Sequence, residues 1–351
     1  MLLSQRKNLH KLSQIIHNCK ISSLPKNLDT RDESCFLLSL GNIETETKIL
    51  CLSNVFVLPE GYIFKGLKPV EESFVLTTNG YLRTLNWKGF LRIAFQRKWY
   101  SLSSGRQYIM VHNFFSGYFH WLVEILPRLF LLKDYWETCT LLLPSIYKDS
   151  FYAETLQLMD IKSVIYLRTR TICKVPHLLF PTATAPQQHY HRGLIQEIRK
   201  FLIEKTERVS SPVPVGRIYI SRQKAARRKV INEKDVVEIL KCYGFEIVYL
   251  EDYTLAQQIQ LFHRAEAVVS IHGAGLTNII FMQPGTKVLE LRKRDKEELN
   301  YYYHLASACE IDYYYQYGMA ANPELPIMHA DITLDTKQLE QNLQLMLAHH
   351  L

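Results

Sequence analysis

The chain has 351 residues, which is long for one domain and comfortable for two that each bury a core. Its apolar share of 47% is ordinary for a globular protein, so a collagen-like or largely disordered chain is excluded. The net charge of +8 leaves open an anionic ligand, an anionic membrane surface and nucleic acid as partners.

Cysteine usage and hydropathy narrow the class of protein further. Seven scattered cysteines, an odd number with no CxxC pair, predict neither a zinc site nor a disulfide framework. The N-terminus lacks the apolar segment of a signal peptide, and the apolar run at 121–132 carries Glu124, Pro127 and Arg128. We therefore expect a soluble, cytoplasmic protein, with peripheral contact to the inner membrane face through its basic surface left open. The oligomeric state has no signal in the sequence.

The first third of the chain is predicted to be rich in β-strands. Strand-type runs separated by turn signals lie at 35–40, 49–58, 62–66 and 73–78. A helix is predicted over 117–135, with an apolar face and with His120, Glu124 and Arg128 on one stripe. Pro127 lies inside it, where it would kink or split the helix. A strand from Thr140, a helix at 152–159, a strand at 163–167 and a helix at 190–206 follow.

The second half alternates strands and helices after a linker candidate at 210–216. Strands are predicted at 217–221, 245–250, 267–271, 287–292 and 312–317. Helices are predicted at 233–242, 255–265, 276–281 and 297–308, and a terminal amphipathic helix at 335–349. This alternation predicts a parallel sheet covered by helices. The predicted domains are 1–209 and 210–335, followed by a C-terminal helix at 336–351.

The segment IHGAGLTN at 271–278 is the first candidate site. It follows an apolar strand and precedes a helix, and glycines there let the backbone approach a ligand closely. Helix N-termini at the carboxyl end of a parallel strand bind phosphate, so the segment is predicted to hold one. The alternative is a glycine turn that packs a helix against a strand. The residues of this candidate site are His272, Gly273, Ala274, Gly275, Leu276, Thr277 and Asn278.

A basic segment offers the matching cations. Between residues 210 and 232 there are six basic residues and no acidic one. Arg222 lies just past a predicted strand, and Arg227 and Arg228 follow in the next loop. Arginine binds phosphate oxygens with two parallel hydrogen bonds, so these side chains favour a phosphate ligand. A solvated loop and an RNA-binding loop are the alternatives, the latter without any aromatic RNP-type pattern in support.

Three acidic or basic side chains complete the candidate residues. Glu290 ends a strand, where a carboxylate commonly binds ribose hydroxyls, although an ion pair with Arg292 would also explain it. His120 and Glu124 lie one helical turn apart and could deprotonate an acceptor hydroxyl, or form a purely structural hydrogen bond. No DxD-like or HExxH pattern is present, so no metal is expected.

Four segments together resemble glycosyltransferase family 61. They are GYFHWLVEILPRL (117–129), YISRQKAARRKVINE (219–233), VVSIHGAGLTNIIFMQPGTKVLEL (268–291) and YYYHLASACEIDYYY (301–315). The resemblance extends over roughly residues 50–345, and Gly117 departs from it because the family usually has asparagine there. Since no anchor or signal is recognised at the N-terminus, the chain is most similar to the bacterial-type members linked to surface polysaccharide synthesis.

The resemblance implies an α/β GT-B fold, with two Rossmann-like domains facing across a cleft. Residues 1–209, with an added β-rich N-terminal region, would form the acceptor side, and residues 210–335 would bind the nucleotide sugar. It implies inverting, metal-independent transfer from a nucleotide-diphosphate sugar, with a UDP-linked donor expected, to a glycan hydroxyl, without a cofactor or nucleic acid. His120 and Glu124 would face the acceptor, and Glu290 would lie near the ribose. The implied donor ligands are Arg222, Arg227, His272, Gly273, Gly275, Thr277 and Asn278. A catalytically inactive nucleotide-sugar-binding protein and an RNA-binding protein remain the alternatives.

Overall fold

The computed structural model describes residues 14–21, 23–37, 40–74, 87–112, 115–208, 216–294 and 299–348. The chain forms two compact units. The first contains Met1–His17 and Glu44–Pro186, and the second contains Asn18–Ile43 and Gln187–Leu351. This division differs from the predicted one at residue 210, because the helix Arg192–Thr206 and a segment near the N-terminus belong to the second unit. The predicted linker lies outside the described residues except for Gly216.

The first unit is built on a mixed sheet. Its strands are β1 Gln14–Ile21, β2 Gly41–Val57, β3 Ile63–Lys65, β4 Lys68–Pro69, β5 Lys98–Ser101, β6 Tyr108–Met110, β7 Thr140–Pro144, β8 Val164–Leu167 and β9 Thr171–Pro181. Of these, β1 and β2 contain the points at which the chain is divided into units. The strand order is β4-β3-β2-β9-β6-β7-β8, with β1 beside β2 and β5 beside β9. The central strand β9 was not predicted, because Lys174 and Pro176 interrupt its apolar pattern.

The strands predicted around 49–58, 62–66, 140–145 and 163–167 are confirmed by β2, β3, β7 and β8. The strand predicted at 35–40 is wrong, since Glu33–Leu37 is a short helix. A 3-10 turn at Thr30–Asp32, capped by Asp29, leads directly into that helix and starts it. Of the strand predicted at 73–78, Ser73 lies in a 3-10 turn and 75–78 lie outside the described residues.

The helix predicted at 117–135 forms in interrupted pieces. Its parts are Tyr118–His120, a π-helical turn Trp121–Ile125, Leu126–Phe130 and a 3-10 turn Lys133–Tyr135. The amide of Leu126 bonds to the Trp121 carbonyl five residues back, and the next residue, Pro127, has no amide hydrogen to donate. Proline therefore splits the helix, as predicted. The other helices of this unit are Trp87–Phe95 and Ser150–Leu158, with 3-10 turns at Glu71–Ser73 and Ser145–Tyr147.

The second unit contains the predicted parallel sheet covered by helices. Its strands are β10 Gly216–Ile220, β11 Phe245–Val248, β12 Ala265–Ile271, β13 Lys287–Lys293, β14 Asp312–Ala320 and β15 Ile332–Thr333. They lie in the order β11-β10-β12-β13-β14-β15, all parallel except β15. The first strand in sequence thus lies between the second and the third, which is the doubly wound pattern of Rossmann-like sheets.

Helices and an apolar core cover this sheet. The helices are Arg192–Thr206, Glu233–Cys242, Leu255–His263, Tyr301–Ala308 and Thr336–Leu347, with 3-10 helices at Leu250–Asp252 and Ala274–Phe281. Alternate strand residues such as Val269 and Leu289 pack against Val236, Leu240 and Leu343 of two of these helices. Because strand side chains alternate between faces, the intervening residues point to the other side of the sheet. No helix among the described residues is long and apolar enough to cross a membrane.

A segment from the N-terminal part of the chain completes the second unit at β14. The amide of Lys26 donates to the Tyr313 carbonyl at 2.9 Å. The fully buried ring of Phe36 contacts Tyr303 and Tyr315, with ring centroids 5.1 and 4.9 Å apart. These contacts make the segment part of the unit's core although it is distant in sequence.

We predict that Phe36→Ala lowers the free energy of unfolding by about 3–5 kcal/mol, because it leaves a cavity among aromatic rings. The neighbouring Leu37 is 44% exposed, so Leu37→Ala is the matched control and should cost less than about 1 kcal/mol. Chemical denaturation of the full chain measures both. Equal effects of the two substitutions would contradict the packing described for Phe36.

Candidate functional site

The candidate site lies where the strand order of the second unit reverses. The strand β10 pairs with β11 on one side and β12 on the other, so the loops that leave β10 and β12 diverge and open a crevice at their carboxyl ends. Arg222 follows β10, and His272 and Gly273 follow β12 directly. The two segments that the sequence singled out separately therefore meet at one edge of the sheet.

Two guanidinium groups converge on Gly273. A methyl group built on this glycine would lie 3.2 Å from Nη1 of Arg228 and 3.4 Å from Nη1 of Arg222. Arg228 also donates to the carbonyl of His272 at 3.4 Å. The backbone of Gly273 is extended, with φ at 168°, so any residue could adopt it. Glycine matters here because it leaves the space in front of the two arginines unfilled.

The two arginines are largely shielded from water, and among the described residues neither forms an ion pair with a carboxylate. Arg228 is buried and Arg222 is partly buried, and the Nε atom of each is buried without a hydrogen-bond partner among the described residues. Burial and the neighbouring charge of Arg222 together lower the pKa of Arg228 to about 10. Burial also lowers the pKa of Arg222, which Glu251 partly offsets. Both groups stay charged at neutral pH, and an anion between them would relieve their repulsion.

The structure places Arg228, and not Arg227, beside the glycine. The guanidinium of Arg227 is exposed and lies 2.6 Å from Nδ1 of His329. Arg228 has a positive φ of 59°, which turns its side chain in the opposite sense from that of its neighbour. Sequence spacing could not distinguish these adjacent residues, because the choice depends on a left-handed backbone conformation.

A buried charge network supports the same loop from below. The Nδ1 atom of His272 contacts Oε1 of Glu290, and the hydroxyl of Tyr313 donates to Oε2 at 2.5 Å. Nη1 of Arg292 lies 3.9 Å from Oε2. Burial raises the pKa of Glu290, but Arg292 and His272 outweigh it, so the net pKa falls below 4.5. The sequence predicts this carboxylate near a ribose, but both of its oxygens are buried and bonded within the protein.

Most side chains of the glycine segment are structural. A methyl group on Gly275 would lie 2.9 Å from Cδ1 of Leu250, so this glycine allows close packing of the loop. Asn278 is fully buried and donates to the carbonyl of Gly275 and to Gln258, both at 3.2 Å. Leu276 and Thr277 are fully buried as well, and the helix that begins at Ala274 is a 3-10 helix. Within 272–278, only Ala274 and Gly275 are partly exposed, so the surface left for a ligand is mainly backbone.

Tyr302 belongs to the site although the sequence analysis did not select it. It is buried in the helix Tyr301–Ala308, and its ring meets the edge of His272 with centroids 5.0 Å apart. Burial raises its pKa, and the charges of Glu290, Arg228 and Arg222 act on its hydroxyl. The sequence could have indicated Tyr302 by its place in the first turn of the helix after β13, because that turn lies at the same edge of the sheet as His272.

The acidic residues Glu251 and Asp252 act on the basic loop in different ways. Asp252 forms an ion pair with Lys224 at 2.5 Å, so the charge of Lys224 is compensated, unlike those of the two arginines beside Gly273. Glu251 acts on Arg222 only through its charge. Across the described ranges, no three His, Cys, Asp or Glu side chains form a group that could hold a metal ion.

The predicted pair in the first unit also forms. Nδ1 of His120 lies 3.0 Å from Oε2 of Glu124, and both side chains are partly exposed. The ring of Phe115 stacks on His120 at a centroid distance of 5.0 Å. Arg128, on the same predicted stripe, is buried and donates to the carbonyl of Val111 at 3.4 Å. A substrate in solvent could therefore reach His120 and Glu124, but not Arg128.

We predict that Glu290→Gln lowers the free energy of unfolding at pH 7 by about 3–5 kcal/mol, because it leaves Arg292 buried without a counter-charge. The native pKa of Glu290 is depressed, so its contribution is present above pH 4.5 and is lost as the pH falls through the lower native value. The deficit of the variant should therefore shrink in acid. Denaturant titrations at pH 7 and below pH 4.5 test this, with the exposed Glu246→Gln as control. A deficit that does not change with pH would show that the Glu290 charge is not involved.

Comparison with known proteins relates this site to enzymes that transfer sugars. A family model described as glycosyltransferase 61 matches residues 118–289. Human protein O-linked-mannose beta-1,4-N-acetylglucosaminyltransferase 2 is 32% identical over 102 residues, which are 28% of this chain and 17% of that protein. The mouse protein of the same name is 33% identical over 102 residues, 27% of this chain and 18% of its own. A cattle EGF domain-specific O-linked N-acetylglucosamine transferase is 22% identical over 172 residues, 44% of this chain and 32% of its own.

The matches have a limited extent. The chain spans less than a third of the length of each of these relatives. All three are mammalian, so they do not confirm the bacterial type that the sequence suggested. The matched range contains His120 and Glu124 as well as Arg222, Arg228 and His272. Residues 118–289 thus resemble the glycosyltransferase 61 family.

Proposed function

We propose that the chain is an inverting glycosyltransferase whose donor diphosphate binds to Arg222, Arg228 and the backbone at Gly273. One observation carries the proposal: two like-charged guanidinium groups, partly or wholly buried, converge on a glycine at the switch point of a doubly wound sheet. Because Arg222 and Arg228 of the basic loop both lie at this crevice, a compact anion fits better than the extended backbone of RNA.

The chemistry of transfer explains why fixed cations are useful there. As the bond between sugar and diphosphate breaks, negative charge grows on the leaving phosphate. Arg222 and Arg228 would stabilise that charge most strongly in the transition state, which raises the rate of the chemical step. In this proposal they do without a metal ion, and the His272–Glu290 pair holds in place the carbonyl that orients Arg228.

The acceptor side is proposed to use His120 and Glu124. Glu124 lies close enough to His120 to stabilise a positive charge on its ring. A histidine so placed can take the proton of an attacking hydroxyl, which contributes about 10²–10⁴-fold to the rate of such reactions. A GT-B arrangement, which would bring this pair to the donor, is part of the proposal.

For the substrates, we propose a UDP-linked donor and a hydroxyl acceptor on a glycan or glycoprotein. The names of the relatives mention N-acetylglucosamine, so its nucleotide form is the first donor to test. The cytoplasmic location expected from the sequence stays a prediction. A catalytically inactive protein that only binds nucleotide sugars is the alternative, and turnover measurements decide between the two.

We predict that Arg228→Gln weakens UDP binding by about 10–100-fold, because it removes charged hydrogen bonds to phosphate. Its neighbour Arg227 carries the same charge but lies away from Gly273, so Arg227→Gln is a matched control that should change affinity less than about three-fold. Isothermal titration calorimetry of the full chain measures both affinities. Equal losses in the two variants would point to a diffuse effect of net charge and would contradict the proposed site.

We predict that His120→Ala lowers sugar transfer by about 10²–10⁴-fold and leaves UDP affinity unchanged, because the base acts only on the acceptor. His177→Ala, in the same unit, is the control, and EDTA should leave the turnover of the wild-type protein unaffected. Transfer is measured with a labelled nucleotide sugar and a mixture of glycan acceptors. Undiminished transfer in His120→Ala would reject this base, while strong inhibition by EDTA that a divalent ion reverses would reject metal independence.

A further inference from the structure

The first unit exposes an aromatic surface on its short amphipathic helix. Trp87, Leu91 and Phe95 are spaced by four residues on the helix Trp87–Phe95 and therefore form one stripe along it. Phe95 is 89% exposed and Trp87 is 50% exposed. The exposed side chains of Leu67 and Trp99 line one depression of about 310 Å³ together with Leu91 and Phe95 of this stripe. These five residues, Leu67, Trp87, Leu91, Phe95 and Trp99, are called the aromatic surface below.

The helix under this surface is firmly packed. Phe90, on its inner side, is buried and stacks on Phe64 with centroids 4.1 Å apart. Phe56 meets the edge of Trp99 at 5.2 Å, which ties the neighbouring strand to the same core. Folding of this unit therefore buries one side of the helix and leaves the other side apolar and open to solvent, which is unusual for large aromatic side chains.

Basic side chains surround the aromatic surface. Lys88 and Arg92 are exposed and form the next stripe of the same helix. Further exposed lysines flank the Leu67 turn and precede Trp99 in sequence, namely Lys65, Lys68 and Lys98. The acidic residues nearby are Glu71 and Glu72, on the side of Lys65 and Lys68, and Glu60, which pairs with Arg97 at 2.8 Å. The balance of charge around the aromatic rings is positive.

We propose that the aromatic surface docks the protein on an anionic lipid bilayer. Tryptophan and phenylalanine enter the headgroup level of a membrane, and lysine and arginine beside them contact the phosphates and anionic lipids. A second copy of the chain is a poorer partner, because symmetric pairing would bring the basic rims of two identical surfaces together. An anionic bilayer matches both the apolar rings and the charge around them.

The test uses the full chain with large vesicles of phosphatidylcholine alone or with phosphatidylserine at about a 7:3 ratio. Flotation should recover the protein only with the anionic vesicles, and brominated lipids should quench fluorescence from Trp87 and Trp99. The double variant Phe95→Ser/Trp99→Ser should lower the partition coefficient at least about 10-fold. Ile146 is 60% exposed in the same unit but lies elsewhere, so Ile146→Ser is the matched control and should bind as the wild type does.

The contribution of charge is tested separately with the double variant Lys88→Gln/Arg92→Gln. It should lower binding to anionic vesicles roughly 30-fold, because each basic side chain near the membrane contributes about five-fold to the affinity. The control Lys162→Gln/Arg168→Gln removes two exposed charges outside the surface. Three results would overturn the proposal. The first is an equal loss of vesicle binding in the two pairs of charge variants. The second is a concentration-dependent dimer that Phe95→Ser dissociates. The third is a strong decrease of the melting temperature in Phe95→Ser, which would mean that the chain itself covers the aromatic surface.

Discussion

The ionised carboxylate of Glu290 is the constraint on which the second unit's site depends. It lies at zero exposure in the middle of a parallel sheet, where an unpaired charge would be costly. His272 directly after β12, Tyr313 of β14 and Arg292 of the same strand β13 compensate it. Because His272 is also the first residue after β12, the same contact sets the direction of the glycine turn that follows. A charge buried for structural reasons thus determines where the backbone of the site lies.

The arginines above this network represent the opposite situation. Arg222 and Arg228 are held close together by a loop whose backbone adopts a left-handed conformation at Arg228. Within the described residues they have carbonyl partners and no bonded carboxylate, so their charges repel each other. A protein can keep two repelling charges together when the rest of the unit is stable. An anion that binds between them removes the repulsion and therefore stabilises the folded state. Gly273 leaves the space in which that anion would lie.

The first unit contributes different features. Its π-helical turn sets Glu124 in an interrupted helix close to His120, and Pro127 explains the interruption. Its helix Trp87–Phe95 buries one side and exposes aromatic rings on the other. The proposed base His120 and the proposed membrane-docking surface therefore lie at separate helices of this unit. Each can be altered by substitutions that leave the other in place.

The sequence by itself determined the alternating strands and helices of the second unit, the glycine turn after β12 and the break at Pro127. These features follow from local rules of periodicity, backbone freedom and the missing amide of proline. Tertiary structure alone decided that Arg228, and not Arg227, lies beside Gly273, that Glu290 is bonded within the protein, and that Tyr302 packs against His272. It also decided that Phe36, distant in sequence, completes the second unit. Such facts depend on which side chains meet across strands, and no local pattern encodes those distances.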